Sequence, residues 1–185
     1  MSNGRTLIGS AVVPIRFVFL MWLSFVVDFL FGYDLTVFGI WPRTLIGGIG
    51  IITSPLIHAN YIHLISNTIP LLFLGVVLFY SYHRIASGVF LRCYFFTNLL
   101  VWLFARPSFH VGASGLVYGI ASFLIFYGFM RRDFKSLFVS VIVLFIYGSI
   151  FYGVLPVNSH VSWESHLAGA IVGAVTAYNY RKVKA

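Results

Sequence analysis

Acidic residues and cysteine are nearly absent from this 185-residue chain. It contains 4 Asp and Glu residues against 12 Lys and Arg, and charged residues make up only 9% of it. A soluble domain carries about 25% charged residues, so this composition excludes a surface that water could solvate. The single cysteine, Cys93, lies in an apolar stretch and can form neither an intrachain disulfide nor a cysteine-rich metal site.

Hydrophobic residues account for 60% of the chain and aromatic residues for 19%. We therefore expect one integral membrane domain over residues 1–185, embedded in a lipid bilayer. The net charge of +8 does not indicate a nucleic-acid partner, because the basic residues occur mostly singly between long apolar runs. In that pattern they are better interpreted as determinants of membrane topology.

Apolar runs of about 20 residues are needed to cross a hydrocarbon core of about 30 Å. The runs that fit are 13–32, 61–81, 86–104, 114–130, 136–154 and 165–180. They predict an all-α, polytopic membrane protein with six transmembrane helices. The first run lacks a following small-residue cleavage site, which favours a retained span over a signal peptide. The loop 33–60 mixes helix breakers with apolar residues, so we expect it to lie in the membrane interface.

The basic residues predict the orientation of the chain. With the N-terminus in the cytoplasm, only Arg43 and Arg106 fall on the outer side. The inner side then carries the remaining ten: Arg5, Arg16, Arg84, Arg92, Arg131, Arg132, Lys135, Arg181, Lys182 and Lys184. This bias follows the positive-inside rule and predicts that both termini are cytoplasmic.

In this topology the second, fourth and sixth spans all begin near the outer face. Their first turns carry polar residues: His63 and Asn67, then Ser114 and Tyr118, then His166. Polar groups at membrane depth are costly and tend to be functional. A layer of such groups on three separate helices predicts a site near the outer surface.

Ser114 and His166 are the residues that a hydrolase would need in this layer. A serine hydroxyl requires a general base to attack a carbonyl, and histidine is the usual base near neutral pH. No Asp or Glu is expected at the same depth, so a Ser–His dyad is the simpler hypothesis. Glu164 precedes His166 by two residues and is expected to point elsewhere.

Groups that could stabilise an oxyanion are also present. Ser114 is expected to begin a helix, where free backbone N–H groups favour negative charge. His63 and Asn67 are spaced i, i+4 and project from one helix face, so each can offer a side-chain N–H to one pocket. His58 lies at the loop boundary and is expected to organise that loop.

Small residues favour close packing of the fourth span against the sixth. Gly169 and Gly173 follow His166 on one stripe, and Gly112 and Gly115 flank Ser114. Small-xxx-small faces allow membrane helices to approach closely. Close approach would bring Ser114 within hydrogen-bond reach of His166, and Tyr118 could pack its ring against that imidazole.

Structural explanations exist for each residue taken alone. Ser114 could be a packing serine, His166 an interfacial histidine, and His63 with Asn67 a pair bonding across helices. His83, His110 and His160, in loops or at span ends, are interpreted as structural. A small transporter using the polar cluster is a weaker alternative, because the inner halves of the second and fourth spans are nearly free of polar residues.

Three motifs together resemble the rhomboid intramembrane serine proteases of the minimal six-span bacterial type. They are His58-x4-His63-x3-Asn67, Gly112-Ala113-Ser114-Gly115-x2-Tyr118 and His166-x2-Gly169-x3-Gly173, in the family's order. One departure is the stretch 47–52, which reads GGIGII where the family often carries a Trp-Arg pair.

The resemblance implies Ser114 as nucleophile, His166 as general base and Tyr118 as the ring stacked on it. It implies an oxyanion hole formed by His63, Asn67 and the Ser114 backbone N–H. Substrates would be transmembrane segments of other membrane proteins, cut near the outer surface of a bacterial inner membrane in regulated intramembrane proteolysis. No metal or cofactor is implied. The alternative within the family is an inactive relative that binds membrane helices.

Overall fold

The computed structural model describes residues 6–131, 133–155 and 162–183, and within these ranges the chain is helical and forms no β-strand. The helices are α1 (Leu7–Phe31), α2 (Gly50–Thr53), α3 (Tyr61–Ser81), α4 (His83–Phe104), α5 (Ser114–Arg131), α6 (Phe134–Tyr147) and α7 (Trp163–Tyr180). The prediction of an all-α protein is confirmed. Arg5, Arg132, His160 and Lys184 lie outside the described residues.

Four of the described helices are long and apolar enough to cross a membrane, namely α1, α3, α4 and α5. The predicted run 136–154 is divided, because α6 ends at Tyr147 and the chain continues as a 3₁₀ helix over Gly148–Val154. With 14 residues α6 is about 21 Å long. Helix α7 is less apolar because its first turns carry Glu164 and His166. The six-span topology stays a prediction.

Side-chain caps explain where several helices begin. The Thr6 hydroxyl accepts the Gly9 N–H at 3.1 Å, so α1 starts at Leu7 and not at the predicted residue 13. The Asn60 side chain accepts the His63 N–H at 2.8 Å and starts α3 at the predicted residue 61. Such caps satisfy backbone donors that the first turn leaves without partners.

Helix α5 lies at the centre of the bundle, where it contacts α3, α4, α6 and α7. Its packing against α7 depends on glycine, since a Cβ on Gly169 would collide with the Gly115 carbonyl and one on Gly173 with the Gly119 carbonyl. The Ser122 hydroxyl also donates to the Ala170 carbonyl at 2.7 Å. The two helices therefore touch through their backbones, and their first turns lie side by side.

The loop 33–60 is held against α4 by hydrogen bonds to its backbone carbonyls. The Asn98 amide donates to Ile51 O at 3.0 Å, and the Trp102 indole N–H donates to Thr44 O at 2.9 Å. Leu45 and Ile46 of this loop are 95% and 76% exposed. The interfacial location of the loop stays a prediction, and these exposed apolar side chains favour it.

Candidate active site

Ser114 and His166 meet at the start of α5 and α7. Ser114 is the first residue of α5, and His166 lies in the first turn of α7 with 8% of its surface exposed. The Ser114 Oγ and His166 Nε2 atoms are 3.0 Å apart. The contact of Gly169 with the Gly115 carbonyl holds α5 close to α7. Ser114 and His166, which are 52 positions apart in the sequence, thereby come within hydrogen-bond distance.

The second nitrogen of the His166 ring lies 2.9 Å from the Gly153 carbonyl oxygen. A carbonyl oxygen only accepts hydrogen bonds, so Nδ1 must carry the proton and donate to it. In a neutral imidazole this leaves Nε2 unprotonated, and the Ser114 hydroxyl donates to it. A backbone carbonyl thus selects the tautomer that can act as a base toward Ser114.

The Tyr118 ring is stacked on the His166 ring, with centroids 4.1 Å apart and planes inclined by 7°. Tyr118 is four residues after Ser114 on α5, so the same helix supplies the hydroxyl and the stacking ring. A Cβ on Gly153 would collide with the Tyr118 hydroxyl and lie 3.2 Å from His166 Nδ1. Glycine at 153 therefore allows the carbonyl to approach the imidazole.

Gly112 and Gly115, on either side of Ser114, are also required by close contacts. Gly112 has φ +106°, which favours glycine, and a Cβ there would lie 2.6 Å from two atoms of the His63 ring. A Cβ on Gly115 would lie 2.8 Å from Thr97 Cγ2 and 3.1 Å from the Ser165 carbonyl. The loop before α5 thus passes directly against His63.

His63 and Asn67 line the same cavity as Ser114 and His166. The Asn67 side-chain nitrogen donates to the His63 carbonyl at 2.7 Å within α3. This bond uses one of the two amide hydrogens and fixes the orientation of the side chain. The second hydrogen is the one available to a ligand.

His58 lies behind this group and is 2% exposed. Its Nε2 accepts the Ala113 N–H at 3.4 Å, and its ring makes an edge contact with His63 at 5.1 Å between centroids. Burial, together with the charge of His63, lowers the pKa of His58 from 6.5 to about 3. His58 is therefore a neutral acceptor that contacts the segment before Ser114. Its expected role in organising the loop 33–60 stays a prediction.

The cavity has a volume of about 660 Å³ and combines polar groups with the apolar side chains of Ile62, Pro70 and Val117. Beside it, the Arg106 guanidinium and the Glu164 carboxylate form an ion pair at 3.5 Å. Glu164 thus pairs with Arg106, a residue of the loop before α5. Within the described ranges, no group of three or more His, Cys, Asp or Glu side chains could hold a metal ion.

Two features of this site were not predicted from the sequence. The Gly153 carbonyl left no signal, because it belongs to a continuous apolar run and the functional group is in the backbone. His110 was interpreted as a structural loop residue, yet it is buried and its ring lies 2.6 Å from the Ser162 hydroxyl, just before α7.

Comparison with known proteins decides the family. The model of the Rhomboid domain matches residues 47–183, which is most of the chain. The chain belongs to the rhomboid family. This is a family of intramembrane proteases, and the matched residues include all of the groups around Ser114 and His166 described above.

Three relatives illustrate the range of similarity to this rhomboid. An uncharacterized protein of Mycobacterium tuberculosis is 37% identical over 183 residues, which cover 94% of this chain and 76% of the relative. An uncharacterized protein of Mycobacterium leprae is 39% identical over 139 residues, covering 70% and 55%. RHOMBOID-like protein 4 of Arabidopsis thaliana is 29% identical over 126 residues, covering 66% and 31%.

Proposed function

We propose that this rhomboid is an active intramembrane serine endopeptidase that uses Ser114 as nucleophile and His166 as general base. The observation that carries the proposal is the pair of contacts on the His166 ring. Nε2 lies 3.0 Å from Ser114 Oγ and Nδ1 lies 2.9 Å from the Gly153 carbonyl, so the basic nitrogen faces the hydroxyl. A packing serine or an interfacial histidine would not require this arrangement.

The chemistry follows from these contacts. Ser114 Oγ attacks the carbonyl carbon of the scissile peptide bond while His166 Nε2 takes the hydroxyl proton. The imidazolium then returns that proton to the leaving amine as the C–N bond breaks, leaving an acyl-enzyme on Ser114. Water attacks the ester in the same way, with His166 again taking and returning the proton.

The charge that develops on the carbonyl oxygen needs hydrogen-bond donors. We assign this role to the His63 ring, the free amide hydrogen of Asn67 and the Ser114 backbone N–H. The support is that His63 and Asn67 line the cavity beside Ser114, and that the first N–H groups of a helix have no acceptor within it. Preorganised donors of this kind are usually the largest contribution to acyl-transfer catalysis.

The substrates would be transmembrane segments of other membrane proteins. The cavity mixes apolar walls with the polar groups of the dyad, as the unwound part of an apolar helix would require. In this proposal α6 and α7 complete a single six-span domain with both termini in the cytoplasm of a bacterial cell, and cleavage occurs near the outer face. Exposed Leu45 and Ile46 would anchor the first loop in the membrane interface.

The test is cleavage of a single-span reporter by the purified chain in detergent, with Ser114→Ala as the matched control. We expect product from the wild type and none from the variant, with both proteins equally folded. A fluorophosphonate probe, which labels activated serines, should modify the wild type at Ser114. Turnover by Ser114→Ala would refute the assigned nucleophile. An unlabelled wild type that cuts no reporter would favour the inactive, helix-binding relative.

A further inference from the structure

His110 and Ser162 occupy matching places before the two residues of the dyad. His110 is four residues before Ser114, and Ser162 is four residues before His166. Their side chains meet, with His110 Nδ1 and Ser162 Oγ 2.6 Å apart. This contact joins the segment that leads into α5 to the segment that leads into α7.

His110 is fixed firmly on its own side of the contact. The residue is 2% exposed, and its backbone exchanges two hydrogen bonds of 2.9 Å with Ile40. Its ring Nε2 lies 3.0 Å from the Arg106 carbonyl, which can only accept, so Nε2 carries the proton. Nδ1 is then the acceptor for the Ser162 hydroxyl in the neutral ring.

Ser162 is held at the start of α7 by its own hydrogen bonds. Its Oγ is the N-cap of that helix, accepting the Ser165 N–H at 3.4 Å and lying 2.6 Å from the Ser165 hydroxyl. The oxygen that begins α7 is therefore also the atom that contacts His110. The Arg106–Glu164 ion pair joins the same two segments a second time, at 3.5 Å.

We propose that His110 is a positioning residue, which holds the start of α7, and with it His166, against the start of α5 through the Ser162 hydroxyl. This inference rests on the peptidase activity proposed above. His110 does not contact the reacting atoms. It acts by keeping the two segments in register, and small displacements of reacting groups are costly, about 100-fold in rate for 1 Å.

Two substitutions separate the contact with Ser162 from the contact with Arg106. In His110→Asn the side-chain amide reaches the position of Nδ1 and can still accept from Ser162. In His110→Gln the amide reaches the position of Nε2 and can still donate to the Arg106 carbonyl. Each variant thus keeps one of the two hydrogen bonds that the imidazole makes.

We expect His110→Asn to label with a fluorophosphonate within about threefold of the wild-type rate and His110→Gln to label about tenfold more slowly. On a reporter, kcat should fall in His110→Gln while KM stays unchanged. Equal labelling rates in the two variants would overturn the proposal. So would a rise in KM alone, which would make His110 a substrate contact.

A readout that needs no turnover keeps this test separate from that of the peptidase. The ¹⁵N resonances of the His166 imidazole should move in His110→Gln and stay in place in His110→Asn. Should both His110 variants fail to fold, Ser162→Ala against Ser162→Thr gives the same comparison, because threonine retains the hydroxyl. Unmoved His166 resonances in Ser162→Ala or His110→Gln would overturn the positioning role even if the wild type proves inactive.

Discussion

Replacing Gly169 with alanine tests whether backbone contact between α5 and α7 sets the distance within the dyad. A Cβ at 169 would collide with the Gly115 carbonyl oxygen and lie 3.0 Å from its carbon and 3.1 Å from the Gly119 nitrogen. All three are backbone atoms, so no side-chain rotation relieves the contact and the helices must separate. Gly115 directly follows Ser114, and Gly169 is less than one turn after His166.

Two magnitudes follow for Gly169→Ala. Overpacking of this kind costs about 1–3 kcal/mol, which should exceed the gain of about 1 kcal/mol that alanine brings to a helix. A shift of about 1 Å between Ser114 Oγ and His166 Nε2 should lower turnover about 100-fold. We therefore expect a lower melting temperature in detergent and a large loss of kcat on a single-span reporter.

Gly48→Ala is the matched control, because a Cβ there would lie 3.8 Å from Trp102 Nε1, an ordinary contact. This variant should melt and cleave like the wild type. Wild-type stability and rate in Gly169→Ala would refute the packing argument. A lower melting temperature with an unchanged kcat would refute the link between packing and the dyad distance.

Three further predictions concern residues around the dyad. Gly153→Ala should lower kcat at least about tenfold, because the new methyl collides with Tyr118 and displaces the carbonyl from His166; a wild-type rate would contradict the role of that carbonyl. Tyr118→Phe should retain activity within about threefold and Tyr118→Ala should lose about tenfold, since only phenylalanine keeps the stacked ring; equal kcat values would contradict it. The free energy of unfolding should fall as the pH drops from 6.5 toward 3, by up to about 1.4 kcal/mol per pH unit, because His58 takes up a proton more readily in the unfolded chain than in the folded one. His58→Gln keeps an acceptor for the Ala113 N–H but has no imidazole to protonate. Denaturant titrations of this variant should therefore show a weaker dependence of the unfolding free energy on pH.

The sequence was sufficient to predict the helical class and the proximity of Ser114 to His166. The lengths of the apolar runs predict the helices. Residues in the first turns of helices that run in the same direction are then expected at the same depth in the membrane. Small residues then predict which helices touch, as Gly115 and Gly169 do. The end of α6 was not predicted, since Gly148–Val154 continues the uncharged run and contains no proline to end the helix.

The orientation of the imidazole was beyond sequence reasoning for a different reason. Its partner is the carbonyl of Gly153, and every residue has a carbonyl, so composition and spacing carry no mark of it. Asn67 was expected to offer a side-chain N–H to the cavity, but the sequence did not indicate that its amide also donates to the His63 carbonyl within α3. The contact between His110 and Ser162 depends on two loops whose paths hydropathy does not define.

The group that orients His166 belongs to the main chain, and this has a consequence for how the site can be altered. A triad aspartate can be deleted by one codon change, whereas no substitution removes the carbonyl of residue 153. Only the path of the 3₁₀ segment Gly148–Val154 decides whether that oxygen reaches Nδ1. The ability of His166 to act as a base thus depends on the conformation of a connecting segment. A change in the path of that segment would inactivate the dyad without altering any side chain.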